Sequence, residues 1–65
     1  MKEIDKLIRR FNNLHPDYEA HLDEIESGPR YYRIVITEPV CGMRVHYTFY
    51  SCRSFKEWMD GVVLD

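Results

Sequence analysis

The residues able to do chemistry in this chain are Cys41 and Cys52, the histidines His15, His21 and His46, and the carboxylates Glu19, Asp23, Glu24 and Glu26. A thiol beside an imidazole would make a nucleophile, and cysteines and histidines at short spacing would hold zinc. The histidines share no ligand spacing with either cysteine. No Ser, Cys or Thr stands in a nucleophile motif, and no pair of carboxylates is framed by glycine-built loops. Cys52 stands near the start of a predicted helix, where a thiol pKa is lowered, but no base accompanies it in the sequence. The expectation is a protein without catalytic residues, metal or cofactor.

The cysteines bracket a predicted strand over residues 43–50, whose ends lie roughly 26 Å apart at about 3.3 Å per residue. A disulfide needs Cα atoms within about 7 Å, so both thiols are expected to be free. Free thiols fit a cytoplasmic protein. No apolar signal segment follows Met1, and no stretch approaches the roughly 20 apolar residues of a membrane span.

The elements that must position these groups follow from hydrophobic spacing. Ile4, Leu7, Ile8 and Phe11 recur at helical intervals, with Leu14 closing the stripe, and predict a helix over residues 3–14. His15-Pro16-Asp17 ends it, because proline disfavours helix in the residue before it. Tyr18, Ala20 and Leu22 then alternate with Glu19, His21 and Asp23, predicting a first strand over residues 18–26. The alternation slips at Glu24 and Ile25, which predicts a bulge near Asp23 and Glu24. After the turn Ser27-Gly28-Pro29, a second strand is predicted over residues 30–38, with Tyr32, Ile34 and Ile36 facing inward. The third, after Pro39-Val40-Cys41-Gly42, turns Met43, Val45, Tyr47 and Phe49 inward. Ser54-Phe55-Lys56-Glu57 fits a capping box opening a last helix, with Phe55, Trp58, Met59 and Val62 on one face and Gly61 near its end.

A chain of 65 residues is expected to form one domain. One-sided helices and alternating strands must bury their apolar faces together. The expected fold is α+β: α-β-β-β-α, a three-stranded antiparallel meander sheet with both helices on one face. The other face would carry Glu19, His21 and Asp23, then Tyr31, Arg33, Val35 and Thr37, then Arg44, His46, Thr48 and Tyr50. His21 and His46 would stand about 9.5 Å apart across the middle strand, too far to share a zinc ion. Cross-strand charge pairs account for many of these residues without function. Tyr and Arg are also enriched at the hot spots of protein interfaces.

Nine Lys and Arg against eleven Asp and Glu give a formal charge of −2, which argues against a general nucleic-acid binder. The element order and the Gly28-Pro29 pair nonetheless resemble the double-stranded-RNA-binding domain. That resemblance implies a lysine cluster at the start of the last helix. Here Ser54-Phe55-Lys56-Glu57-Trp58-Met59 keeps only Lys56, with Arg53 nearby, and Tyr31 replaces the histidine that family places after its proline. His15-Pro16-Asp17 is similar to the tripeptide of J-domain co-chaperones, but a strand pattern follows it where that family has a second helix.

Size, element order and the acidic run Glu19, Asp23, Glu24 and Glu26 resemble the small phage-borne inhibitors of bacterial defence, including anti-CRISPR proteins that block Cas nucleases. The resemblance implies a non-enzymatic protein-binding module that occludes a nucleic-acid channel with carboxylates. The expected contact residues are Glu19, Asp23, Glu24, Glu26, Tyr31, Arg33, Arg44 and Tyr50. The expected partner is a protein, with a homodimer also open. The alternative is a divergent nucleic-acid-binding domain using Arg9, Arg10, Arg53 and Lys56.

Overall fold

The computed structural model describes residues 2–62. Helix α1 runs over Glu3–Leu14, as the spacing predicts. Its first turn carries Glu3 and Asp5, whose carboxylates suit the positive end of the helix. Ile4, Ile8 and Phe11 are buried. The His15 N–H bonds the Phe11 carbonyl and closes the helix before Pro16. Leu14 does not complete the stripe: it is 55% exposed, at the margin of the apolar face in the last turn.

The strands are β1 (Glu19–Leu22), β2 (Tyr32–Thr37) and β3 (Arg44–Phe49), in the spatial order β1-β2-β3 with antiparallel neighbours. Each is shorter than its apolar alternation suggests. Strand β1 changes most. Asp23, Glu24 and Glu26 do not continue it, and there is no bulge; the chain turns out of the sheet. A local network wins over the ladder there. The Asp23 carbonyl accepts both the Ser27 N–H (3.0 Å) and the Ser27 hydroxyl (2.7 Å), and Asp23 Oδ1 accepts the Glu26 N–H at 3.1 Å. Ser27 Oγ also accepts the Arg33 N–H at 2.9 Å, tying the turn to β2. Between β2 and β3, Gly42 takes a φ of +68°, which glycine adopts at little cost, and its N–H bonds the Glu38 carbonyl. Met43 falls before β3 and is 58% exposed rather than facing inward.

Helix α2 spans Cys52–Gly61. It opens ahead of the predicted capping box. Ser51 is the last extended residue, and its Oγ accepts the Ser54 N–H at 3.0 Å, so Ser54 lies inside the first turn. Glu57 pairs with Arg53 at 3.1 Å instead of reaching back to a cap. Val62 is the extended residue after the helix and no longer belongs to its apolar face.

Ile4, Ile8, Phe11, Ala20, Ile34, Ile36, Phe49, Phe55 and Met59 form the buried cluster. Its sheet members all point to one side of the sheet, so both helices cover that one face, as expected. The chain fills this small core with rings, which bury much area each. Phe49 and Phe55 lie 5.0 Å apart, Tyr47 and Trp58 4.8 Å, and Phe11 and Trp58 6.0 Å between centroids. The outer edge of β1 is closed by a side chain. Asn12 Nδ2 donates to the Ala20 carbonyl at 3.1 Å, and the Ala20 N–H donates to Asn12 Oδ1 at 2.7 Å. Among the described residues, no helix is long and apolar enough to cross a membrane.

Candidate functional site

The helix-free face of the sheet is built in rows. Glu19, Thr37 and Arg44 stand side by side, then His21, Val35 and His46, then Arg33 and Thr48. Glu19 lies 3.5 Å from the Nδ1 of His21. The face is less open than the alternation implies. Val35, between the two imidazoles, is 2% exposed although no helix covers it. Arg33 is half-buried, and its Nε is shielded from solvent without a hydrogen-bond partner.

The expected contact residues therefore divide. Glu19 and Arg44 flank Thr37 at one end of the sheet. The others gather toward the opposite end, about 13–20 Å away along four to six strand residues. There the turn over residues 23–27 is held against Arg33, and the Tyr31 and Tyr50 rings meet edge to face at 6.4 Å. Tyr31 lies close over Gly28: a Cβ on Gly28 would be 2.5 Å from Tyr31 Cε1. Tyr50 is 75% exposed. A groove of about 270 Å³ beside them is lined by Pro29, Tyr31, Tyr32, Tyr50 and Cys52.

The carboxylates of the turn have different occupations. Asp23 is spent on the turn itself, through its bond to the Glu26 N–H. Glu24 and Glu26 are exposed. Between them Ile25 is 93% exposed, more than any other large apolar side chain among the described residues. Sequence reasoning assigned Ile25 no role, although the slip in the alternation marked the place. It read Asn12 with Asn13 as helping to end the first helix, not as closing the sheet edge, and placed the cap of α2 at Ser54 instead of Ser51.

The basic residues of the alternative reading are partly neutralised. Arg10 approaches Asp60 at 3.6 Å across the two helices, and Arg53 bonds Glu57. A groove of about 470 Å³ between the helices is lined by Glu3, Leu7, Arg10, Cys52, Arg53 and Lys56; Arg9 is not part of it. Both cysteines are free, Cys41 exposed and Cys52 half-buried. The Tyr32 phenol has a side-chain hydrogen bond with Cys52, which holds its pKa above the usual tyrosine value, with the charge of the Cys52 thiolate and desolvation adding to the shift. No group of His, Cys, Asp and Glu that could hold a metal ion occurs among the described residues.

No protein-family model, no curated protein and no solved structure matches the chain.

Proposed function

We propose that this protein is a non-enzymatic protein-binding module, a small inhibitor or regulator carried by a phage or mobile element, that acts by steric occlusion. The observation that carries this reading is Ile25: an isoleucine held almost fully in solvent between two exposed glutamates, on a turn secured by Asp23 and Ser27. An apolar side chain kept in water on a hydrogen-bonded turn gains by entering a pocket on a partner, at roughly 1.5–3 kcal/mol for full burial. Flanking carboxylates steer such a tip toward a basic groove and raise the association rate. Tyr50 and the partly covered Tyr31 extend the same end of the molecule as aromatic contacts. A standard interface takes about 800 Å² from each partner, roughly one-sixth of the 4800 Å² surface here.

The partner class that fits is a protein with a positively charged nucleic-acid channel, such as a Cas nuclease. The test is inhibition of DNA cleavage by purified Cas nucleases, and direct binding to them. Wild type is expected to bind and inhibit. Ile25→Ser and the pair Glu24→Lys with Glu26→Lys should each lose binding while melting as wild type does. Binding unchanged in both variants would sink the turn as the contact. Titration with duplex RNA and DNA at several salt concentrations tests the alternative, which requires steeply salt-dependent binding through Arg9, Arg10, Arg53 and Lys56.

A further inference from the structure

The two edges of the sheet are treated differently. In an antiparallel ladder, alternate residues turn their N–H and C=O groups toward or away from a given neighbour. The bond from the Asp23 N–H to the Arg33 carbonyl sets this alternation for β1, so Ala20 and Leu22 point outward. Asn12 occupies the outward groups of Ala20, and the chain turns away just after Leu22. The bond from the Glu38 N–H to the Met43 carbonyl sets it for β3, so Arg44, His46 and Thr48 point outward. Among the described strands, β3 pairs with β2 alone. Its one charged residue of fixed sign is Arg44 at the strand's start, and it has no proline, lysine or bulge to blunt the rest of the edge.

We propose that β3 is a self-association edge, on which a second copy of this chain pairs its own β3 antiparallel about a two-fold axis at Tyr47. The strand is complementary to itself in that register. On the helix-free face, Arg44 would oppose Tyr50 of the second copy and His46 would oppose Thr48. On the helix side, Val45 would oppose Phe49 and the two Tyr47 rings would meet. The outward groups of Arg44, His46 and Thr48 all fall at hydrogen-bonded positions. No like charges stand opposite each other, and Arg44 gains an aromatic face. Val45, 39% exposed, and Tyr50, 75% exposed, both acquire cover. A register centred on His46 instead sets two imidazoles opposite each other and leaves Tyr50 against Gly42. Head-to-tail growth from β3 onto β1 of the next copy is blocked by Asn12, so the assembly closes at two, with a continuous sheet of twice three strands. This inference rests on the β3 edge and not on the partner proposed above; Tyr50 is the residue that both surfaces would use.

Sedimentation of the full chain across a wide concentration range tests it. The expected result is a reversible shift from the 7.9 kDa monomer to a species of twice that mass. His46→Pro removes an outward N–H that β2 does not use, and Thr48→Lys sets an ammonium beside the axis. Each should weaken association about tenfold or more while circular dichroism stays native. Hydrogen exchange on wild type gives a second readout that needs no variant: the His46 and Thr48 amides should gain protection with concentration, and the Leu22 amide on the opposite edge should not. A monomer at every concentration overturns the proposal. So does a dimer whose His46 and Thr48 amides exchange as freely as in the monomer, or one that both substitutions leave intact.

Discussion

The Asn12 carboxamide closes on the Ala20 peptide from both sides, giving its N–H to the carbonyl and its oxygen to the amide. A helix side chain thereby stands where a further strand's backbone would pair. Asn12→Ala should destabilise the protein by about 1–3 kcal/mol, two hydrogen bonds at roughly 0.5–1.5 kcal/mol each. It also bares the β1 edge. Urea unfolding gives the first quantity, and light scattering at high concentration should report the second as new association.

Gly28 and Tyr31 make a second exact contact. Alanine at Gly28 places a methyl 2.5 Å from the ring edge, so the ring must shift. Gly28→Ala should cost under about 1 kcal/mol, because the group it meets is the ring end of the half-exposed Tyr31, which can give. In a chain that already carries Tyr31→Ala, most of that cost should vanish. A double-mutant cycle on thermal melting measures it, and equal costs in both backgrounds would refute the contact.

The start of α2 can be probed by two serines. Ser51→Ala removes the oxygen that accepts the Ser54 N–H and should cost about 1 kcal/mol. Ser54→Ala keeps its own backbone N–H and should stay within about 0.5 kcal/mol of wild type. The reverse ranking would restore the cap to Ser54.

Tyr32 carries a pH signature. Its raised pKa means that the folded chain holds the phenol proton more tightly than the unfolded chain does. The resulting stabilisation is complete below the unfolded value, about 10, and is lost as pH rises through the higher folded value. Cys52→Ala removes the largest cause, so the Tyr32 midpoint should fall toward the ordinary value. Tyrosinate absorbance, with Tyr32→Phe subtracted to isolate this ring, checks it.

The sequence by itself determined the element order and the face each long element buries. Ile4, Ile8 and Phe11 at helical spacing, and Ile34 and Ile36 at strand spacing, can hide only if both helices share one side of the sheet, and they do. Periodicity is a local signal, and where packing follows it the reading holds. The tertiary structure decided the ends and the exceptions. Whether Asp23 continued a strand depended on Ser27 and Arg33 competing for its backbone groups. Whether Val35 was buried depended on neighbours from β1 and β3. Which edge stayed open depended on Asn12 meeting Ala20, eight residues away in the chain. Each outcome is a competition between partners distant in sequence, and alternation within one strand carries no trace of the partner that wins.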